Sequence, residues 1–199
     1  MSITGLFAIG VSGVNAYATS LEATAQNIAN SQTVGYKRAR TEFSDLISAS
    51  TPNTGGGVSA ANRTLLSEQG ALTRTETATN AAISGAGFFV VSETPGASGG
   101  VAPFLFTRAG DFAPNAAGDL VNSAGYYLQG FPLDAAGAAP NGALTALETI
   151  NIFRRPALPA GAPDPGPLAG LSLSTDGRLV ATYENGESYA LYRVPVALF

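Results

Sequence analysis

An apolar pattern with a period of seven residues fills the first thirty positions, and it limits the possible folds more than any other feature of the chain. Phe7, Val14, Leu21 and Ile28 recur at this spacing, and Tyr17 occupies a neighbouring position of the repeat. In an α-helix these residues share one face, so the pattern predicts a helix that needs a partner helix. The rest of the chain contains no second segment of similar length and pattern. We therefore expect the helix to pack against another molecule.

The predicted helix runs from about Ile3 to Asn30, and two glycines weaken it. Gly10 and Gly13 each cost about 1 kcal/mol relative to alanine, so the isolated helix would be marginally stable. Their small size would let a neighbouring helix approach closely. In an alternative interpretation, the helix folds back onto a β domain of the same chain. Gly35 is predicted to have a positive φ where the chain leaves the helix.

The composition favours a turn-rich β structure after the helix. The chain of 199 residues is 45% hydrophobic but only 12% charged, about half the usual charged fraction. It contains 24 glycines and 12 prolines, which are frequent in turns. The expected fold is therefore mainly β with an N-terminal α-helix, in which a long coiled-coil-type helix precedes an antiparallel, turn-rich β domain.

Three segments follow from these patterns. Residues 1–35 form the assembly helix, residues 36–75 an extended linker, and residues 76–199 the β domain. Within that domain, residues 184–187 (Glu-Asn-Gly-Glu) predict a hairpin turn. Residues 156–167 hold five prolines and cannot form a central strand. They are either a surface loop or the place where an outer domain is missing.

The residue content argues against catalysis. The chain has no cysteine and no histidine, so it lacks thiolate ligands, disulfides and the commonest general base. Its carboxylates near turns, such as Asp111 and Asp119, are typical of residues that cap main-chain amides. We expect no enzymatic activity, no metal and no cofactor. A carbohydrate-binding module using Tyr126 and Tyr127 is an alternative for the β domain, although it would not explain the heptads.

Charge and hydropathy argue against two classes of partner. The net charge of −4 argues against nucleic acid, and the basic cluster is limited to Lys37, Arg38 and Arg40. We expect that cluster to be solvated or to face an adjacent subunit, as we also expect for Tyr36. The chain contains no run of eighteen apolar residues, so we expect no insertion into a membrane. The first residues lack the basic segment of a cleavable signal peptide.

Three motifs, taken in their order along the chain, resemble those of the rod and hook family of bacterial flagellar axial proteins. Within that family the chain resembles the N-terminal portion of the hook proteins. The first motif spans residues 10–37, the second residues 82–90 and the third residues 106–128. The residues that carry the first are Asn27, Asn30, Thr33, Gly35, Tyr36 and Lys37. Those that carry the other two are Gly85, Gly87, Phe88, Phe89, Arg108 and Gly110. The step from Tyr127 to Pro132 resembles hook proteins more than rod proteins.

The resemblance implies a function in assembly. In this family the N-terminal helix pairs with a C-terminal helix of the same chain to form an inner tube, and the β domain forms a shell around it. Phe7, Val14, Tyr17, Leu21 and Ile28 would then form the seam between helices. The implied protein is a hook subunit that builds a flexible tubular joint between basal-body rod and filament. The alternative within the family is a basal-body rod protein of the distal type.

The resemblance also implies partners and a route out of the cell. The implied partners are further copies of the chain, the distal rod, the hook cap, the hook–filament junction proteins and the flagellar type III export gate. The protein would lie in the flagellum, outside the cell, without signal cleavage. Phe43 and Ile47 match a short export-gate pattern, but the same two residues fit simple packing on the helix base.

Two departures from the family accompany the resemblance. Members end in a second heptad helix, whereas this sequence ends on a predicted strand. Most hook proteins also insert an outer β domain near residues 156–167. We therefore expect the chain to be a part of a longer protein.

Overall fold

The computed structural model describes residues 3–47, 55–96, 103–139, 144–158 and 163–198. The chain divides into two compact units, Met1–Glu68 and Gln69–Phe199. A single helix, α1 (Ile3–Ala29), precedes a series of antiparallel strands. The predicted fold class, mainly β with an N-terminal helix, is confirmed. None of the helices in the described ranges is long and apolar enough to cross a membrane.

The first unit combines α1 with a two-stranded antiparallel hairpin. The strands are β1 (Ala39–Ile47) and β2 (Gly55–Thr64), with Ala39 opposite Thr64. Residues 36–75, expected as an extended linker, thus contain two paired strands, and the unit boundary follows Glu68. The sequence of β2 is rich in glycine, alanine and serine, which are poor strand formers. Its small side chains instead allow the strand to lie close to the helix.

The second unit is built on one branched antiparallel sheet. Its central strand order is β12-β3-β7-β11-β10-β9. The strands are β3 (Phe88–Ser92), β4 (Leu105–Thr107), β5 (Ala113–Pro114), β6 (Leu120–Val121), β7 (Tyr127–Pro132), β8 (Glu148–Thr149), β9 (Leu168–Leu173), β10 (Arg178–Tyr183), β11 (Ser188–Arg193) and β12 (Val196–Ala197). A short 3₁₀ helix (Leu144–Ala146) precedes β8.

The core of the second unit is apolar with one buried polar cluster. Its members include Phe89, Phe112, Leu120, Leu128, Ile150, Leu179, Leu191 and Tyr192. The rings of Phe89 and Phe112 meet edge to face with centroids 5.5 Å apart. The amide of Gln129, which is fully buried, donates to Ser92 Oγ at 2.8 Å and to Thr149 Oγ1 at 3.0 Å. These bonds join strands β3, β7 and β8 inside the core.

Repeated four-residue turns connect the strands. In three of them an Asn or Asp side-chain oxygen accepts hydrogen bonds from the main-chain N–H groups two and four residues later, at 2.8–3.1 Å. A glycine with positive φ follows three residues after each Asn or Asp. The pairs are Asn115 with Gly118, Asn122 with Gly125, and Asp134 with Gly137. The predicted turn at 184–187 is confirmed between β10 and β11.

The proline-rich segment 156–167 forms no strand over its described residues, 156–158 and 163–167. Residues 159–162 lie outside the described ranges. Arg155 and Asp164 pair across this segment at 2.9 Å, and both side chains are exposed. An exposed pair of this kind contributes at most about 1 kcal/mol.

Candidate assembly surface

One face of α1 exposes a continuous row of large apolar side chains, here called the apolar stripe. Its central members, Phe7, Val14, Tyr17, Leu21 and Ile28, each expose 69–70% of their surface. Ile3, Leu6 and Val11 extend the stripe toward the N-terminus and are also exposed. All five residues predicted for the helix seam therefore lie together on one open face. Exposed apolar area of this extent is typical of an interaction site.

The opposite face of α1, here called the small face, packs against the hairpin. Ala16 and Ala23 lie there and are 3% exposed. Ser12 and Asn27 occupy the same face one turn to either side of the two alanines. The sequence analysis did not identify this face, because the heptad pattern drew attention to the large residues. The spacing of Ser12, Ala16, Ala23 and Asn27 was the available signal.

Ser12 joins the helix to β2. Its Oγ donates to the carbonyl of Ile9 at 2.7 Å and accepts the N–H of Val58 at 3.1 Å. Gly57 precedes that contact with φ of 104°. A Cβ at Gly57 would lie 2.5 Å from Ser12 Oγ, so only glycine lets the strand approach this closely.

Asn27 joins the end of the helix to the start of β1. Its Nδ2 donates to the carbonyl of Ala39 at 2.8 Å, and its Oδ1 accepts the N–H of Ala39 at 2.9 Å. The hydroxyl of Tyr36 donates to the same Oδ1 at 3.0 Å. Asn27 thus forms the paired bonds that a neighbouring strand would form with Ala39.

The remaining residues of the first motif shape the turn after the helix. Asn30 Nδ2 donates to the carbonyl of Gln26 at 2.9 Å, and Thr33 Oγ1 donates to Asn30 Oδ1 at 3.2 Å. Gly35 has φ of 75°, the positive value predicted for the helix exit. The turn brings Tyr36 back over the helix and within reach of Asn27.

The two arginines of the basic cluster are paired with carboxylates of the same unit. Arg38 lies 2.8 Å from Glu68, and Arg40 lies 3.1 Å from Glu42. Lys37 Nζ donates to the main-chain carbonyl of Glu68. Because the charges of Arg38 and Arg40 are matched within the unit, the cluster offers little excess positive charge to a nucleic acid. Contact of the cluster with an adjacent subunit stays a prediction.

The predicted export pattern begins beside the apolar stripe. Phe43 lies in β1 and is half exposed, and its ring centroid is 5.9 Å from that of Tyr17. Ile47 is the last residue of the same strand. Phe43 therefore takes part in packing on the helix, which does not by itself decide between the two interpretations of the pattern.

The second and third motifs meet in the β unit. Phe89 is buried, while Phe88 lies under the guanidinium of Arg108, 5.1 Å from the ring centroid. Gly85 and Gly87 have φ of 100° and 128°. A Cβ at Gly87 would overlap Val196, and one at Gly110 would overlap the carbonyl oxygen of Ala81. These motif residues serve close main-chain packing.

The described ranges contain no group of three or more acidic, histidine or cysteine side chains able to hold a metal ion. In the first unit, Ser12 and Asn27 form hydrogen bonds between the helix and the hairpin. The surface feature that the unit offers is the exposed apolar stripe.

Comparison with protein families gives two matches. A family model described as the flagellar hook protein FlgE/F/G D1 domain matches residues 82–181. A model described as the flagella basal body rod protein matches residues 7–37, which include most of α1 and the turn after it. The two matched ranges lie in the two units of the chain.

Individual relatives carry the same descriptions. The chain is 46% identical over 162 residues to the flagellar hook protein FlgE of Brucella abortus, and this match covers 80% of this chain and 39% of the relative. It is 44% identical over 137 residues to FlgE of Rhizobium meliloti, covering 68% of this chain and 32% of that protein. It is 38% identical over 136 residues to the flagellar basal-body rod protein FlgG of Agrobacterium fabrum, and this match covers 60% of this chain and 50% of that protein. The matched part of the chain thus spans about a third to two fifths of the length of these two hook relatives.

Proposed function

The chain belongs to the flagellar hook protein FlgE/F/G D1 domain family, and from that membership we propose that it is a structural subunit of the bacterial flagellar hook. The observation that supports this function most is the apolar stripe, which is open while the small face is occupied by the hairpin. Head-to-tail contacts that do not close on themselves produce an open helical polymer. Burial of the stripe against other helices of the inner tube would stabilise such a polymer, and the polymer would act as a flexible joint between rod and filament.

A basal-body rod protein of the distal type is the second candidate. The match of residues 7–37 to the rod model and the similarity to FlgG favour it. The greater identity to FlgE, over a longer part of the chain, favours the hook. Both candidates use the helix in the same way, so they differ in the shape of the polymer and not in the seam.

The partners and location follow from the same proposal. The subunit would bind further copies of itself, the distal rod, the hook cap and the hook–filament junction proteins. It would lie outside the cell in the flagellum, after export through the flagellar type III gate. Passage through a narrow channel as an unfolded chain is compatible with a sequence that has no cysteine to form disulfides.

A substitution in the stripe tests the assembly function. Leu21→Ser removes an exposed apolar side chain whose burial in a contact is worth about 2 kcal/mol, so the association constant should fall about thirty-fold. Asn15→Ser, which changes an exposed polar residue of α1 away from the stripe, is the matched control. Sedimentation velocity over a concentration series measures both. Equal association of the two variants would contradict a seam at the stripe.

Electron microscopy of the concentrated protein separates the two candidates. Curved tubes with a central channel would support the hook, whereas straight short tubes would support the rod. A protein that stays monodisperse at all concentrations would argue against both.

The export pattern needs its own test. We propose that Phe43 and Ile47 engage the export gate, and Phe43→Ala should then reduce secretion into the medium at unchanged intracellular level. Leu46→Ala, an exposed residue of the same strand, is the control. If Phe43→Ala instead lowers the unfolding temperature of the first unit and leaves secretion unchanged, the packing interpretation is correct.

A further inference from the structure

One hairpin turn of the β unit contains a residue pair that can undergo a spontaneous covalent change. The sequence has two Asn-Gly pairs, Asn141-Gly142 and Asn185-Gly186, and the first lies outside the described ranges. Asn185 and Gly186 lie in the turn between β10 and β11, and both are exposed. Because glycine has no Cβ, a preceding asparagine side chain can reach its main-chain nitrogen easily. The pair is therefore a candidate site of deamidation.

The reaction consists of a ring closure and a hydrolysis. The Gly186 nitrogen loses its proton to solvent and attacks Asn185 Cγ, where a C–N bond forms and the side-chain nitrogen leaves as ammonia. Water then opens the succinimide ring at one of its two carbonyls. One product is aspartate, and the other is isoaspartate, whose main chain is one carbon longer. Water is the only reactant besides the chain.

The closed turn holds the attacking nitrogen in a hydrogen bond. The N–H of Gly186 donates to the carbonyl of Tyr183 at 2.9 Å, and Gly186 has φ of 83°. A three-residue loop that ends on a left-handed glycine is a common hairpin connection. The N–H must leave this bond before it can give its proton to solvent. Opening of the turn therefore precedes the attack.

The carboxamide that would be attacked is also held. Asn185 Oδ1 accepts the N–H of Glu187 at 2.9 Å, and its Nδ2 donates to Glu187 Oε2 at 3.2 Å. The N–H of Tyr183 donates to the carbonyl of Glu187 at 3.0 Å, which closes the base of the turn. Both reacting groups are thus engaged in bonds of the same closed turn.

We propose that Asn185 is a deamidation site whose reactivity is controlled by this turn, so that the folded hairpin protects it and the open chain exposes it. The inference does not rest on the proposed function, because it uses bonds within one hairpin. Two bonds must open, from Gly186 to Tyr183 and from Glu187 to Asn185. Each favours the closed turn about fivefold, so the folded hairpin should slow the reaction about thirty-fold.

The modification would weaken the turn that controls it. Aspartate at this position adds a negative charge beside Glu184 and Glu187, and it cannot donate to Glu187 Oε2 as the asparagine does. Isoaspartate lengthens the main chain within the turn, which disturbs the register in which Thr182 lies opposite Ser188. A chain modified while unfolded should therefore form a less stable hairpin.

Peptide mass spectrometry of the full chain measures the reaction. The native protein and the protein unfolded in guanidinium chloride are incubated at one pH, and the mass gain at residue 185 is followed over time. In the unfolded chain Asn185 and Asn141 should react at similar rates, and in the native chain Asn185 should react about thirty-fold more slowly. A peptide of residues 181–190, incubated with and without guanidinium, corrects for the effect of the denaturant. Asn185→Gln keeps a carboxamide but lengthens the side chain, and it should show no mass gain at this position.

Two further readouts use the same samples. Amide hydrogen exchange at Gly186 should be slowed in the native chain by a factor similar to that for deamidation, because both reactions need the same opening. After refolding, the modified chain can be separated by ion exchange and should melt at a lower temperature than the unmodified chain.

Each outcome is decisive. Equal rates at Asn185 in the native and unfolded chains would overturn protection by the turn. An unreactive Asn185 in an unfolded chain whose Asn141 reacts would overturn the site itself. Equal melting of the modified and unmodified chains would overturn the effect of the modification on the hairpin.

Discussion

Gly110→Ala should strongly destabilise the β unit, because no space exists for a methyl group at this position. A Cβ at Gly110 would overlap the carbonyl oxygen of Ala81, and it would lie 2.8 Å from that carbonyl carbon and 3.1 Å from the ring of Phe89. The carbonyl of Gly110 also accepts the N–H of Ala81 at 2.8 Å. The two main-chain segments must therefore separate, since neither can rotate out of the way.

The expected loss can be estimated from these contacts. A hydrogen bond of this kind is worth about 1 kcal/mol, and forcing extra volume into a packed region costs about 1–3 kcal/mol. We expect the free energy of unfolding to fall by about 3 kcal/mol, which lowers the melting temperature by about 10 °C for a unit of this size.

Gly170→Ala provides the matched control. Gly170 lies in β9, and a Cβ there would meet no atom within 4 Å. Near-UV circular dichroism of the tyrosines follows the β unit, because five of the seven tyrosines lie within it. A melting temperature for Gly110→Ala equal to that of Gly170→Ala would refute the reasoning from close main-chain packing.

Three further predictions concern other contacts. Gln129→Ala should lower the free energy of unfolding by about 2–3 kcal/mol in urea, because two buried hydroxyls lose the hydrogen bond that the Gln129 amide donates; the exposed Gln32→Ala should not. Gly35→Ala should destabilise the first unit by about 1 kcal/mol because Gly35 has a positive φ. Gly5→Ala inside α1 should stabilise the unit by about 1 kcal/mol. If both variants shift the melting temperature in the same direction, this reasoning is contradicted. Burial raises the pKa of Tyr192, so stability should be complete below about pH 10, the unfolded value, and fall as pH rises through the higher folded pKa. Tyr192→Phe should flatten that alkaline loss in urea titrations, and an unchanged pH profile would count against the buried phenol as its cause.

Local sequence signals predicted the elements that depend on local physics. The helix was expected from about Ile3 to Asn30 and runs from Ile3 to Ala29. The turn at 184–187 and its flanking strands were also predicted, because an Asn-Gly pair between alternating residues favours a hairpin. The family resemblance, carried by the three motifs, is confirmed by the matched family models.

The hairpin of the first unit was not predicted, because its stability comes from outside its own sequence. Residues 55–61 (GGGVSAA) have little preference for a strand, and composition indicated a linker. β2 pairs with β1, and it is also held by a bond from Ser12 to Val58, 46 residues apart. Likewise, the carboxamide of Asn27 gave no sign in the sequence that it would bind Ala39. Such pairings depend on three-dimensional proximity, which periodicity does not encode.

The repeated turns of the β unit have a consequence for the order of folding. In the turns that begin at Asn115, Asn122 and Asp134, the bonds that the Asn or Asp side chain accepts close over two or four residues. Loops of this length close on the nanosecond scale and cost little chain entropy. A chain that arrives unfolded could therefore set each corner before any distant strands meet. The slow step would then be the docking of β12 beside β3, whose partners are more than one hundred residues apart in sequence.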